Sequence, residues 1–413
     1  MRAQHIAGDG EFRQGWPVLV AAMIGVTTGV GAVPFYALGP SMPALQAEFG
    51  WSRATISLAL SCVALGLFVA SPLAGRLCDR LSVRTLAVGS ALLLSLALGA
   101  ISLTDAHPWV LFVCYGAAGL LGAGTSPVTY SRALATWFER RRGLALGAAL
   151  MGTGVAGTLV PLLIFHVTAL HGWRAAWMAV GCIPLLAVPF LVLWLRERPQ
   201  PAIPAAQVAK APPTSGLSQS EAFRDLRFWV LGGAIFAISC FVGGLIVHMA
   251  PMLLDAGASA GAAATAASFV GVAVIASRLT VGWLLDRVFA PLVAMGVFGL
   301  TAVGCVVLAF VGPGAAIPAA LLIGFALGSE VDLVAYLTAR YFGLRSYGAI
   351  YGAQYSLFVA GSAISPLIIG ALREGLGSYV PALVIAAGVI FIAGLTFLLL
   401  GRYPVHAARA VPA

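Results

Sequence analysis

The chain has 413 residues, 61% of them hydrophobic and 9% charged, with a mean hydropathy of +0.99. That composition leaves too little polar side chain to cover a folded surface in water, so a soluble multidomain protein is excluded. A net charge of +9 would suggest nucleic acid in a soluble chain, but here most of the 23 Lys and Arg fall in joints between apolar runs, where they orient membrane helices instead.

Apolar runs follow one another at about 17–40, 53–75, 84–104, 108–133, 143–169, 173–195, 228–254, 258–283, 291–311, 313–339, 347–371 and 378–400. A helix of about 20 residues crosses a bilayer core, so the expected fold is an all-α membrane protein with twelve transmembrane helices. The long hydrophilic break, 196–227, carries Pro199, Pro201, Pro204, Pro212 and Pro213 with Lys210, Arg224 and Arg227. It reads as a mobile linker ending in a short interfacial segment around Phe223 to Phe228, and it divides the chain into six-helix bundles at 1–195 and 228–413. With both termini on one side, that side receives seventeen Lys and Arg, and the other only Arg53, Arg174 and Arg373. The positive-inside rule then places the termini and linker in the cytoplasm. Arg2, Asp9, Glu11 and Arg13 precede the first run and no A-x-A-like cleavage site follows it, so it reads as a retained span. The six cysteines (Cys62, Cys78, Cys114, Cys182, Cys240 and Cys305) lack metal-like spacing and read as small apolar residues. Neither a metal nor a cofactor is expected, and no G-x-x-x-x-G-K-[ST] phosphate loop is present.

The motifs sit at the ends and middles of these runs. After the second, Gly75 to Arg84 reads G-R-L-C-D-R-L-S-V-R. There Gly75 permits a close helix crossing, Asp79 can pair with a base or cap a neighbouring helix, and Arg80 and Arg84 hold the headgroup face. Tyr130 and Arg132 close the fourth run, one a candidate cavity hydroxyl and the other an inner-gate or snorkelling cation. Trp137 to Gly157 contains Arg141 and Arg142 followed by Gly143, Gly147, Gly154 and Gly157, a small-residue ridge for helix packing. His248, beside Pro251, could donate to a carboxylate, accept a proton or simply pack. Arg278 lies deep inside the eighth run, where a lone charge is costly and a guanidinium facing a cavity would bind a carboxylate bidentately. Its run ends in G-W-L-L-D-R, Gly282 to Arg287, a shortened copy of the first motif with Asp286 and Arg287. Glu330 and Asp332 stand in the tenth run about 200° apart on the helix, so both cannot face one narrow site. Asp332 is favoured over Glu330 to pair with Arg278 or carry a coupling proton. Tyr336 shares the Asp332 face, and Phe35, Tyr36, Tyr351 and Tyr355 are further aromatic candidates for a path, Tyr355 in a Gly-interrupted span.

The halves repeat weakly. Gly75, Asp79 and Arg80 recur 207 residues on as Gly282, Asp286 and Arg287, and Gly143, Gly147 and Pro161 recur 205 residues on as Gly348, Gly352 and Pro366. Near-equal offsets make the bundles pseudo-symmetric, as nested repeats of a transporter are.

Carried by the Gly75–Arg84 loop, its copy before Arg287 and the R-R-x-L-A-x-G-x-A-x-x-G-x-G-x-x-G pattern from Arg141, the chain resembles the major facilitator superfamily over essentially its whole length. Within it, the resemblance is to the monocarboxylate transporter-like and oxalate/formate antiporter-like branch. Gly15 and Trp16 match the branch's first-span signature, whose acidic residue is displaced here to Glu11 by Phe12, Arg13 and Gln14. The resemblance implies alternating access, often with a proton and a monocarboxylate moving together, and a functional arginine at Arg278, four residues before Gly282. It also implies cavity polar groups at Tyr130, His248 and Tyr336. Val274 stands four residues before Arg278, where lactate-like carriers would have a polar residue, and the acids stand instead in the tenth span.

The expected function is secondary active transport of a small organic anion by proton symport, not enzymatic catalysis. Substrate binding falls to Arg278, Tyr130, His248, Tyr336 and Tyr355, coupling or ion pairing to Asp332 and Glu330, and gating to Gly75, Asp79, Arg80, Arg84, Arg141, Arg142, Asp286 and Arg287. Alternatives are organic-anion exchange of the oxalate/formate kind, export of drugs or metabolites, and a receptor on a transporter-like scaffold. A carboxylate, protons and membrane lipids are the expected partners, a monomer suffices for a pathway, and compact loops point to a bacterial inner membrane.

Overall fold

Four spans begin on a serine at a polar joint: Ser52, Ser82, Ser259 and Ser378 accept the N–H of Thr55, Thr85, Ala262 and Val380. These acceptors satisfy N–H groups that a helix leaves open at its start, so each apolar run enters the membrane already helical. The computed structural model describes residues 8–198 and 216–404. Most of the 196–227 linker, with its prolines and Lys210, and the chain ends, with Arg2 and Arg409, lie outside the described residues.

The chain is an all-α membrane protein of twelve spans in two pseudo-symmetric bundles. Among the described residues, nine stretches are long and apolar enough to cross a bilayer. Two of these are 53 residues long and hold two spans each, and the broken first span completes the twelve. In order, the spans are Gly8–Thr27 with Val33–Phe49, Arg53–Arg80, Val83–Gly99, Trp109–Leu121 with Pro127–Trp137, and Arg142–Leu150 continuing through 152–171. After Gly172, whose φ of 81° makes the turn, the sixth runs 173–194. The second half follows with Leu226–Val247 and Met249–Asp255, Ala260–Leu285, Ala290–Val311, Ala316–Phe342, Tyr347–Leu376 and Tyr379–Thr396. The interfacial segment is a helix, Gln219–Arg224, opened by a Ser218–Glu221 capping box. It joins the two halves: Arg76 Nε donates to Gln219 Oε1 at 2.9 Å, and Leu217 N–H donates to the Phe342 carbonyl at 2.8 Å.

The first span departs from the single run expected at 17–40. It is longer at both ends and interrupted at 28–32, where two glycines and the following Pro34 weaken the helix. The break is held from outside: Val30 N–H donates to Thr125 Oγ1 at 3.0 Å, and that hydroxyl donates to the Gly122 carbonyl at 2.7 Å. Thr125 ends a 3-10 turn, Gly122–Thr125, so the fourth span is irregular at the same depth. Irregular backbone inside a membrane is tolerated where protein or a cavity surrounds it.

Large apolar side chains such as Leu65, Leu96, Phe165, Phe310 and Leu367 point outward, while Gly, Ala and Ser occupy the contacts between helices. Without a hydrophobic drive between helices in lipid, close backbone approach supplies the packing. The seams between the halves are the second span against the eleventh and the fifth against the eighth.

Candidate functional site

The repeated motifs meet one another across those seams. A Cβ on Gly75 would stand 2.0 Å from the Gly348 carbonyl, and one on Gly143 would stand 2.3 Å from the Gly282 carbonyl. Asp79, at the end of the second span, accepts the N–H groups of Gly348 and Ala349 at 3.0 and 2.8 Å. Asp286, at the end of the eighth, accepts those of Gly143 and Leu144 at 2.7 and 3.0 Å. Each carboxylate thus caps the N-terminus of the helix that faces it across its own seam, where the helix dipole favours negative charge. Burial raises the Asp286 carboxyl above its ordinary value, and the two N–H groups, Arg287 and Arg142 pull it back down.

The two latches differ in their cations. Asp79 is paired with Arg132, whose Nε also donates to Glu197 at 2.8 Å. Arg287 is exposed, donates to the Trp283 carbonyl and lies over the Trp283 ring. Arg80 is exposed, Arg84 donates to the Leu195 carbonyl, and Arg142 is buried with its donors on the Phe138 and Ala135 carbonyls. Glu11 accepts the N–H groups of Glu139, Arg140 and Arg141 and so ties the first span to the loop entering the fifth. Asp79→Asn is expected to cost more stability than Asp286→Asn, because it also takes from Arg132 one of its two carboxylate partners, and losing one cap is worth about 1 kcal/mol. Thermal unfolding of both variants in one detergent checks this; an equal or reversed order would overturn it.

Beyond the latches, toward the face opposite the described chain ends, lies a cavity of about 540 Å³. Its fifth-span wall runs from Leu150 to Thr158, and its eighth-span wall from Arg278 back to Ser268, which puts Arg278 at the latch end. Both halves contribute, through Tyr36, Thr125 and Thr153 on one side and Arg278, Val331 and Tyr355 on the other. Arg278 is 6% exposed; its Nη1 donates to Asp332 Oδ1 at 3.0 Å and its Nη2 to Thr153 Oγ1 at 3.3 Å. Its Nε and Asp332 Oδ2 have no hydrogen-bond partner among the described residues. Removing two charges from water is offset only by good pairing, so this buried pair holds spare hydrogen-bonding capacity at the cavity edge. Glu330 faces away, accepting the Ser239 hydroxyl of the seventh span at 3.1 Å.

The other predicted binding residues separate. Tyr355 lines the cavity. Tyr130 is buried against the first span, where its ring fills the space a Cβ on Gly25 would need. Tyr336 lies toward the latches under Arg340, 5.9 Å from its ring. His248 has Nδ1 2.9 Å from Tyr379 Oη and Nε2 3.2 Å from the Pro366 carbonyl. A carbonyl only accepts, so Nε2–H donates to it, and in the neutral ring Nδ1 accepts the tyrosine hydroxyl. None of these three is in the wall of this cavity. Two contributors were not singled out from sequence. Thr153, the second partner of Arg278, was hidden among motif glycines, and the broken backbone at Gly31 was signalled only by the nearby Gly29 and Pro34.

Residues 24–366 match the family model described as Major Facilitator Superfamily. Over 406 residues the chain is 28% identical to monocarboxylate transporter 11 of Homo sapiens, a match covering 94% of this chain and 83% of that one. It is 27% identical to the gallate transporter of Pseudomonas putida, over 91% and 90% of the two chains. The crystal structure of the human organic anion transporter superposes with a TM-score of 0.73 at 14% identity, covering 93% of this chain and 99% of that one, a likeness of fold.

Proposed function

This chain belongs to the major facilitator superfamily and is a transporter rather than an enzyme; from that premise we propose that it carries a small organic anion, a monocarboxylate, by proton symport. The observation that carries the reading is the Arg278–Asp332 pair at the latch end of the cavity. Among the described residues, Arg278 is the only cation in the cavity wall, and its Nε has no hydrogen-bond partner. A carboxylate arriving there competes with Asp332 for the guanidinium, and a proton on Asp332 removes the competing charge. Anion and proton then load together, and the loaded site stays electrically close to its resting state. In this reading Asp332 takes, from the tenth span, the coupling role that no acidic residue near Val274 fills. The curated relatives named for monocarboxylates and for gallate support a carboxylate cargo.

Alternating access follows from the seams. We assign the halves to 1–195 and 228–413 with 196–227 as linker, and both termini to the cytoplasm. The arrangement described closes the cytoplasmic side through the glycine crossings and both aspartate caps, leaving the cavity on the outer side. Rocking about the site releases the caps and exposes Arg278 inward. A single chain contains the whole pathway.

Uptake of lactate, pyruvate, formate, oxalate, benzoate and other aromatic carboxylates into proteoliposomes, with and without an imposed pH gradient, tests the function. Monocarboxylate accumulation driven by the gradient is expected; transport only against a preloaded anion would replace symport by exchange. Asp332→Asn is expected to retain counterflow of labelled anion but to lose accumulation driven by pH, with Glu330→Gln measured beside it. Proton flux unchanged in both variants would remove both carboxylates from coupling.

A further inference from the structure

Resting on the reading of Arg278 as carboxylate anchor, we propose that Tyr355 and the amide of Gly31 form a second polar subsite in the same cavity. It takes a ring hydroxyl, so that the preferred cargo is a hydroxylated aromatic monocarboxylate. Size is the first reason. A cavity of about 540 Å³ falls in the range that holds a drug-sized ligand, and a three-carbon acid on Arg278 would leave most of it to water.

Unused donors are the second. Where the first span breaks, Val30 N–H goes to Thr125 and the N–H groups of Ala32 and Val33 go to the Gly29 carbonyl. That leaves Gly31 N–H without an acceptor among the described residues. Tyr355 is 5% exposed, its ring is held between Tyr351 and Phe358, and its hydroxyl makes no hydrogen bond to the described protein. The same hydroxyl lies 3.6 Å from where a Cβ on Gly31 would stand, so the two residues are neighbours, and both line the cavity. Neither group is engaged by the described protein, so a ligand atom placed here gains hydrogen bonds without displacing a protein partner.

The chemistry of that atom follows from charge. The cavity wall offers one cation, already shared with Asp332, so a second carboxylate would arrive without a counter-charge. A neutral hydroxyl accepts from Gly31 N–H and exchanges a hydrogen bond with Tyr355 at no such cost. Apart from Thr125, Thr153, Thr158 and Ser268, the rest of the wall is largely apolar or aromatic, with Ile246, Val274, Ile275, Leu327 and Phe358, and Tyr36 packed on Gly157, suited to a flat ring.

Binding of benzoate, 3- and 4-hydroxybenzoate, terephthalate and lactate to the purified chain by calorimetry tests this. One hydroxybenzoate isomer is expected to bind about three- to tenfold more tightly than benzoate, the worth of a hydrogen bond, and both more tightly than lactate or terephthalate. Tyr355→Phe, which keeps the ring packing, is expected to erase that isomer's preference over benzoate. Equal binding of benzoate and both isomers, preference for terephthalate, or equal weakening of benzoate and hydroxybenzoate by Tyr355→Phe would each overturn the subsite and leave the anchor standing. Absence of carboxylate binding to the native chain, or binding unaffected by Arg278→Gln, would overturn both.

Discussion

Arg278→Gln is expected to lower carboxylate uptake in proteoliposomes at least hundredfold, about 2.8 kcal/mol at the tenfold-per-1.4 kcal/mol rate. Among the described residues the guanidinium is the only cation in the cavity wall, and a neutral amide cannot offset the charge of a desolvated anion. The single variant also leaves Asp332, fully buried, without the partner on Oδ1, and breaking a buried pair costs about 3–5 kcal/mol. Lost uptake could therefore come from a failed fold, and Arg278→Gln with Asp332→Asn separates the two causes. That double variant removes both charges and keeps the shapes, so its thermal stability in detergent is expected to return toward the native value while its uptake stays absent. Native-like uptake by the double variant would sink the assignment of Arg278 as anion anchor.

Gly147→Val is expected to cut transport at least tenfold by a different route. Its Cβ would stand 2.0 Å from the carbonyl oxygen of Arg278, a backbone atom that cannot rotate away. The fifth and eighth spans must then part by about 1 Å or more at the crossing that closes the latch side, in a contact held by close backbone approach. A tenfold shift between two states needs only about 1.4 kcal/mol of preference, and a clash of this kind exceeds that. Labelling of a cysteine placed at Thr158, on the cavity wall, by an impermeant reagent added from outside is expected to fall in a background lacking the native cysteines. Gly89→Ala and Gly296→Ala, whose added Cβ atoms meet nothing within 4 Å, serve as controls and are expected to transport normally. Unchanged labelling and uptake in Gly147→Val would show that the crossing is not part of the moving seam.

Much of the fold was legible because each span needs only a run of apolar residues, and such runs are local. The duplicated Gly-x-x-x-Asp-Arg motif and the glycine pair beginning each seam helix were visible as a repeat with nearly one offset. Their partners were not visible. That Asp79 caps Gly348 and Asp286 caps Gly143 depends on which ends come together at the seams, 269 and 143 residues away in sequence. The opposite facing of Glu330 and Asp332 followed from helical periodicity. Asp332 was favoured from the sequence as the partner of Arg278, and the packing of the eighth span against the tenth places it there. The glycines after Arg141 read as one packing ridge, yet they divide: Gly143 and Gly147 cross the eighth span, while Gly154 and Gly157 form cavity wall.

The sequence by itself determined that this protein is an all-α membrane protein with two repeated halves, because hydropathy, charge asymmetry and motif spacing are properties of the chain read in one dimension. It also singled out Arg278, since an arginine in the middle of a span is costly wherever the helix sits. Tertiary structure decided which polar groups share a cavity with that arginine. Tyr130, His248, Tyr336 and Tyr355 are equally polar and equally embedded in apolar runs, yet only Tyr355 lines this cavity. The direction a side chain takes from a membrane helix is set by its neighbours' surfaces, and the break that bares Gly31 N–H is held by Thr125 from another span. Those are relations between distant segments, which no local pattern encodes.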